Sequence, residues 1–128
     1  MSYADEIGRI GEQMVAEFLK SRGYIIFCQN YRTGFGEIDI IAEDREKLLF
    51  VEVKTRGRDN LRTPADAVDA IKQGKIIRTA KSFRAKAHHR GGYRFDIAEV
   101  LYRKTPSGEM KFSLNYIKNA FFGDLEND

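Results

Sequence analysis

Two carboxylates and one lysine lie close together on two consecutive segments that have the composition of β-strands. Asp39 lies in the segment 37–42. Glu52 and Lys54 lie in the segment 48–54. Proteins usually bind Mg²⁺ with one or two carboxylates, water and the phosphates of a substrate. A lysine beside such a cation can orient or deprotonate the attacking water, or stabilise developing charge. These residue types therefore predict hydrolysis of a phosphodiester bond, with Mg²⁺ or Mn²⁺ as the cofactor.

A β-hairpin with its turn at residues 45–46 would bring the two carboxylates together. In that register Asp39 falls opposite Glu52, and Glu37 falls opposite Lys54. Directly opposed side chains lie about 4.5–5.5 Å apart at Cβ, so two like charges there are destabilising without a cation between them. The alternative reading is structural, with Glu37 and Lys54 forming an ordinary cross-strand ion pair.

The apolar residues of the two strands support the same register. Side chains alternate between the faces of a strand, so Ile38, Ile40 and Ala42 are predicted to share one face. Ile40 then meets Val51 across the hairpin. A shift by one residue would destroy this apolar matching, so the register is predicted independently of the charged residues.

Helical and strand periodicities predict the elements that position the hairpin. Ser2 with Asp5 is typical of a helix start and Gly23 of a helix end. Gly11, on the apolar stripe of that helix, predicts a close neighbour. The predicted elements are helices over 4–22 and 64–86 and strands over 24–31, 37–42, 48–54, 94–102 and 110–116. The order α-β-β-β-α-β-β indicates the α/β class, with a mixed central sheet flanked by helices.

Length and composition predict a single domain over residues 1–128. The chain is 42% hydrophobic and 32% charged, which allows a core within a water-facing surface. No segment approaches the roughly 18 apolar residues of a membrane helix, and the start of the chain lacks the features of a signal peptide. The single cysteine, Cys28, excludes an internal disulfide and a cysteine-based zinc site. We therefore expect a cytoplasmic protein without membrane contact.

Charge is unevenly distributed along the chain. Residues 54–94 carry 12 Lys/Arg against 3 Asp, whereas residues 1–53 carry 6 Lys/Arg against 10 Asp/Glu. Lysine and arginine bind the phosphates of nucleic acid without reading its sequence. Nucleic acid, either DNA or RNA, is therefore the predicted partner, and the alternative is a solvated basic helix. The candidate contacts are Arg32, Arg56, Arg58 and Lys72.

Five short motifs stand in order along the chain. They are Gly8-x-x-Gly11-Glu12, Asn30-Tyr31-Arg32, the segment 36–42, the segment 50–56, and Arg94-Phe95-Asp96. Together they resemble the YraN-like group, uncharacterised protein family 0102, over roughly residues 8–100. The spacing from Asp39 to Glu52-Val53-Lys54 is similar to the core of the PD-(D/E)XK endonuclease-like superfamily, which includes the archaeal Holliday junction resolvases.

The resemblance implies a restriction-endonuclease-like three-layer fold and roles for individual residues. Asp39 and Glu52 would be metal ligands, and Lys54 would be the catalytic lysine. The carbonyl of Val53 would be a further ligand. Glu12 would be the acidic residue that the first helix contributes to the site.

The resemblance also bears on substrate and assembly. Glu37 would tether Lys54 or assist metal binding. Gln73 or Lys75 of the second helix would contact the nucleic acid. The implied activity is a magnesium-dependent endonuclease acting on DNA, with branched or junction DNA in repair or recombination as an implied target. A homodimer is implied by analogy with the resolvases. The alternative is a non-catalytic nucleic-acid-binding module on the same scaffold.

Overall fold

The computed structural model describes residues 2–45, 47–58 and 68–126. The elements are α1 (Tyr3–Ser21), β1 (Ile25–Arg32), β2 (Glu37–Asp44), β3 (Lys47–Gly57), α2 (Ala70–Lys86), β4 (Tyr93–Lys104) and β5 (Met110–Phe121). Their order confirms the predicted α-β-β-β-α-β-β arrangement. The predicted start of the second helix at residue 64 lies outside the described residues.

The five strands form one mixed sheet in the order β1-β2-β3-β4-β5. The β3–β4 pair is parallel, and the β1–β2, β2–β3 and β4–β5 pairs are antiparallel. A parallel neighbour requires a crossover connection, and α2 lies in the connection between β3 and β4. The sheet is therefore two antiparallel ribbons joined by one parallel pair.

The two helices cover opposite faces of this sheet, which confirms a three-layer α/β fold. Beneath α1 lies an apolar cluster, here called the α1-side core: Val15, Ala16, Leu19, Ile40, Ala42, Leu49, Val51, Ala98 and Val100. Beneath α2 lies the α2-side core: Ile38, Ile41, Leu48, Phe50, Val68, Ile76, Ala80, Phe95, Ile97 and Leu125. The alternation of these residues along β3 assigns its even-numbered side chains to the α2 side.

Helix α1 begins and ends as its sequence predicts. Ser2 and Asp5 form a reciprocal capping box, and Gly23 follows the helix with a positive φ of 85°. Gly11 faces the sheet so closely that a Cβ atom there would lie 2.0 Å from Thr55 Oγ1. Helix α1 therefore packs closely against β3 at Gly11, which positions the next residue, Glu12, near the sheet.

Strand alternation is interrupted where β1 and β2 pass each other. Asn30 has a positive φ of 56°, which is uncommon for a residue other than glycine. On β2, Ile38 belongs to the α2-side core with Ile41, whereas Ile40 belongs to the α1-side core. The prediction that Ile38 and Ile40 share a face is therefore wrong, because regular alternation does not hold through Asp39.

The strands β2 to β5 are longer than the sequence periodicity predicts. β2 continues to Asp44, β3 begins at Lys47, and these two residues pair with each other. β3 also continues to Gly57 because it pairs with β4 along that length. Neither helix in the described part of the chain is long and apolar enough to cross a membrane.

Candidate active site

The hairpin of β2 and β3 has the predicted register, and its two strands separate at the site. Residue pairs run from Asp44–Lys47 to Ile40–Val51, and in the described strands the pairing ends there. β3 continues beyond this point as the parallel partner of β4. The start of β2 is thus released from backbone pairing with β3, and a side chain of β2 makes the next contact.

Asp39 makes that contact. Its Oδ2 accepts a hydrogen bond of 2.7 Å from the backbone N–H of Val53, a donor that regular antiparallel pairing would direct to a carbonyl of β2. The predicted backbone pair of Asp39 and Glu52 is therefore wrong in detail. The two carboxyl groups nevertheless interact, and Glu52 is itself buried, with 6% of the residue exposed.

The approach of these two carboxyl groups is electrostatically unfavourable. Burial, followed by the charge of Glu52, raises the pKa of Asp39 to about 7, although the Val53 N–H and Lys72 act in the opposite direction. Buried like charges raise a carboxyl pKa because the ionised form lacks solvation and is repelled. Perturbed groups of this kind are common at functional sites.

Glu52 is neutralised by a residue of the second helix. Lys72 Nζ lies 2.7 Å from Glu52 Oε1. Burial lowers the pKa of Lys72, but the hydrogen bond to Glu52 and the charges of Glu52, Asp39 and Asp69 outweigh it, so the pKa is raised. The Asp69 side chain caps α2 by accepting from the backbone N–H of Lys72. The start of α2 is thereby held at the carboxylate pair.

Glu12 and Glu37 form a second acidic group beside Asp39. With its amide nitrogen facing the carboxylates, Asn30 donates to Glu12 Oε1 at 3.1 Å and to Glu37 Oε1 at 3.0 Å. Burial, then the charges of Asp39 and Glu37, raises the pKa of Glu12. Arg32 Nε lies 3.5 Å from Glu37 Oε2. The structure thus brings the resemblance-derived Glu12 to the site and pairs Glu37 with Arg32.

Lys54 lies on the same side of β3 as Glu52, by alternation along the strand. It is half-buried and in register with Glu99 of β4. The predicted pairing of Lys54 with Glu37 is wrong, because β2 and β3 have already separated at that level. The roles predicted for Lys54 and for the carbonyl of Val53 remain predictions.

The predicted nucleic-acid contacts differ in accessibility. Arg56 is 6% exposed and its guanidinium forms a buried ion pair with Glu99, so its assignment as a phosphate contact is replaced by a structural role. Gln73 Nε2 donates to the carbonyl of Val68 at 2.9 Å, which stabilises the start of α2. The exposed candidates are Arg32, Arg58 and Lys75.

Asn30 and the Lys72–Glu52 ion pair are features of the site that the sequence does not assign. Asn30 belongs to the motif Asn30-Tyr31-Arg32, but the spacing of that motif predicts neither its positive φ nor its contacts with two carboxylates. Lys72 is predicted only as a nucleic-acid contact. The positive φ of Asn30 could have been suspected from an asparagine within an apolar strand, because asparagine tolerates positive φ better than most residues.

The donor set fits a divalent cation that retains water or substrate ligands. Among the described residues, no three acidic, histidine or cysteine side chains converge closely enough to form a complete cage. Asp39 and Glu52 supply a facing pair of carboxylates with unfavourable mutual charge. Two carboxylates completed by water and phosphate oxygens are the usual arrangement for Mg²⁺.

Comparison with known proteins finds relatives over most of the chain. The profile of the uncharacterised protein family UPF0102 matches residues 11–100. A UPF0102 protein of Clostridium botulinum strain 657 is 41% identical over 118 residues, which cover 91% of this chain and 94% of the relative. A UPF0102 protein of Dictyoglomus turgidum is 41% identical over 117 residues, covering 91% of this chain and 97% of the relative.

A distant likeness exists among solved structures. The match is to SfsA of Pyrococcus furiosus in complex with Ca²⁺, with a TM-score of 0.45 and 16% sequence identity. It covers 85% of this chain, which spans 62% of the SfsA chain. The family segment 11–100 includes every residue of the site described above, from Glu12 to Lys72.

Proposed function

The chain belongs to the uncharacterised protein family UPF0102, and we propose from the geometry of its site that it is a metal-dependent nuclease that hydrolyses phosphodiester bonds in DNA. One observation carries the proposal. Asp39 and Glu52 meet at the point where β2 and β3 separate, although their charges conflict. Lys72 offsets part of the cost of this pair by its contact with Glu52, and a divalent cation bound by both carboxylates would offset the rest.

The cation would be held by Asp39 and Glu52, with the carbonyl of Val53 as a further candidate ligand. When bound, Mg²⁺ or Mn²⁺ would polarise the scissile phosphate and lower the pKa of a bound water. The Val53 N–H keeps one oxygen of Asp39 fixed, so the carboxylate is oriented before a cation binds. Such preorganisation lowers the cost of assembling the site.

The remaining site residues have separable roles in the proposal. Lys54 is assigned the orientation of the attacking water or the stabilisation of charge on the phosphate. Glu12 and Glu37, joined through Asn30, border the acidic group from the α1 side. Glu12 would hold the proton released from water, since burial and neighbouring charge raise its pKa.

The basic part of the chain supports a nucleic-acid substrate. Residues 54–94 contain 12 Lys/Arg and 3 Asp, and α2, which carries many of them, begins at the carboxylate pair. Arg32, Arg58 and Lys75 are exposed and are the proposed phosphate contacts. Phosphate contacts position a duplex without reading bases, so we propose recognition of DNA shape, with branched DNA as a substrate and a homodimer as the acting unit.

A cleavage panel tests this proposal. The wild-type protein is incubated with linear, nicked, flapped and four-way DNA in Mg²⁺ or Mn²⁺, beside Asp39→Asn and Lys54→Ala. We expect cleavage by the wild type and a loss of at least about 100-fold in both variants, because charge stabilisation at the phosphate contributes several kcal/mol. Circular dichroism of each variant controls for folding. Equal cleavage by the wild type and both folded variants would refute the assignment.

The Lys72–Glu52 ion pair favours one second candidate. A site that is already neutralised by a lysine would suit a non-catalytic module that binds nucleic acid. In that case the wild type would bind the DNA panel in a salt-dependent manner, without turnover in either metal. Binding would then be the same in Asp39→Asn as in the wild type.

A further inference from the structure

We infer that Lys72 is a tethered counter-ion, which neutralises Glu52 in the metal-free protein and exchanges this carboxylate for a substrate phosphate when a divalent cation binds. The inference rests on the proposed function, because it requires a cation at Asp39 and Glu52. It adds that Lys72 makes the affinity for the cation depend on whether the substrate is bound, which the proposed function does not require.

The ion pair has an asymmetric environment. The Glu52 side chain is 7% exposed, whereas the Lys72 side chain is 43% exposed, and their charged atoms lie 2.7 Å apart. A carboxylate buried without a partner is strongly destabilising. Glu52 therefore needs a positive charge in the metal-free state, while Lys72 reaches it from the solvent side.

The backbone of Lys72 is fixed by the helix cap, whereas its charged group lies at the end of a long side chain. Its N–H donates to Asp69 Oδ1 at 2.9 Å in the cap of α2. The ammonium is carried on a flexible four-carbon stem with a compact charge. Lys72 can thus change partner without movement of the helix.

A cation and the ammonium oppose each other at Glu52. Mg²⁺ binds a carboxylate oxygen at about 2.0–2.1 Å, so a cation on Glu52 would lie within about 5 Å of an ammonium that stayed in place. Positive charges at that separation repel by several kcal/mol near a protein surface. The released ammonium would also face the positive end of the α2 dipole. A phosphodiester oxygen is the anion that the proposed substrate brings to this position.

The exchange makes cation and DNA binding reinforce each other. Without DNA, Lys72 competes with the cation for Glu52. With DNA bound, the phosphate takes up the ammonium and the competition ends. Coupling between two ligands is reciprocal, so the cation must strengthen DNA binding by the same factor.

The test measures cation affinity rather than cleavage. Mn²⁺ binding to the full chain is titrated by electron paramagnetic resonance, with and without a phosphorothioate-linked DNA duplex. The proteins are wild type, Lys72→Met, Lys72→Arg and Lys86→Met. Lys86 is the control because it ends the same helix, about 21 Å from Lys72 at 1.5 Å per residue, and so beyond the screening length of about 10 Å at 0.1 M salt.

We expect Lys72→Met to bind Mn²⁺ at least about tenfold more tightly than wild type without DNA, because a competing positive charge is removed. DNA should strengthen Mn²⁺ binding by a clearly larger factor in the wild type and in Lys86→Met than in Lys72→Met, where only direct ligation of the cation by phosphate remains. Lys72→Arg should weaken Mn²⁺ binding, because a guanidinium holds a carboxylate through two parallel hydrogen bonds.

The outcomes separate this inference from the proposed function. Equal or weaker Mn²⁺ binding in folded Lys72→Met, or an effect of DNA as large as in the wild type, would overturn the exchange while leaving the metal site intact. A wild-type protein whose Mn²⁺ binding is unaffected by Asp39→Asn would overturn both.

Discussion

Two buried carboxylates of the same sheet, Asp96 and Asp39, have opposite environments. Asp96 on β4 is fully buried and accepts from three residues: Arg94 Nε at 2.9 Å, Tyr116 Oη at 2.6 Å and the Asn119 N–H at 2.8 Å. Both of its oxygens are engaged. Burial, followed by the charge of Asp96, raises the pKa of Tyr116 far above its ordinary value, so the phenol remains a donor.

The carboxylate of Asp39 has fewer hydrogen-bond donors around it than that of Asp96. In the described part of the chain it accepts one backbone hydrogen bond, from Val53, and faces a second carboxylate whose partner is the half-exposed Lys72. Its pKa is raised to about 7. Fully satisfied buried networks stabilise a fold, whereas partly satisfied ones persist where function requires them. The contrast indicates that Asp96 stabilises the sheet, and it supports the proposed role of Asp39 in cation binding.

The largest expected effect is on stability at Asp96. Asp96→Asn places an amide against donors that require an acceptor, and we expect the free energy of unfolding to fall by about 3–5 kcal/mol. Asp39→Asn removes a charge conflict, so its free energy of unfolding without divalent cations should fall by no more than about 1 kcal/mol below that of wild type. Urea unfolding of both variants measures this difference.

Tyr116→Phe is the milder variant if Asp96→Asn does not fold. Loss of its hydrogen bond to the charged Asp96 should cost about 1.5–3 kcal/mol. A free energy of unfolding equal to that of wild type in Tyr116→Phe would contradict the stabilising role of the Asp96 network.

A smaller effect is expected at the contact that positions Glu12. Gly11→Ala would place a Cβ atom 2.0 Å from Thr55 Oγ1, and helix α1 must shift. We expect a loss of about 1–3 kcal/mol in the free energy of unfolding. Gly8→Ala is the matched control, since a Cβ there has nothing within 4 Å, and it should stabilise α1 by up to about 1 kcal/mol. Similar urea midpoints for the two variants would rule out the close packing.

The last expected effect is the pH dependence of stability due to Asp39. Its pKa is about 7 in the folded chain and about 4 when unfolded, so the folded state holds the proton more tightly. The resulting stability is present below about pH 4 and is lost as the pH rises through about 7. Without divalent cations, the wild type should lose up to about 4 kcal/mol relative to Asp39→Asn over this range, because each pKa unit corresponds to about 1.4 kcal/mol. Parallel pH profiles of urea unfolding for the two proteins would argue against the raised pKa.

Much of the fold follows from local patterns in the sequence. The capping residues Ser2 and Asp5 and the glycine at position 23 set the limits of α1. The apolar matching around Ile40 and Val51 gives the correct hairpin register. These features are predictable because capping and alternation depend on residues close in sequence.

The departures from prediction arise from long-range contacts. Ile38 and Ile40 face opposite sides of the sheet at the level where Asn30, on the neighbouring strand, has a positive φ. Arg56 is buried because it meets Glu99 from a strand more than 40 positions away. Neither partner is identifiable from the spacing of residues along one segment.

The sequence by itself determined the order of elements, the hairpin register and the residue types of the site. These features depend on residues that are close in sequence, such as the carboxylates and the lysine on two consecutive strands. Only the tertiary structure decided that Asp39 binds the Val53 N–H, that Lys72 neutralises Glu52, and that Asp96 is fully satisfied while Asp39 is not. The physical reason is that burial and the approach of charges from distant segments, which fix the energy of a carboxylate, exist only once the chain has folded.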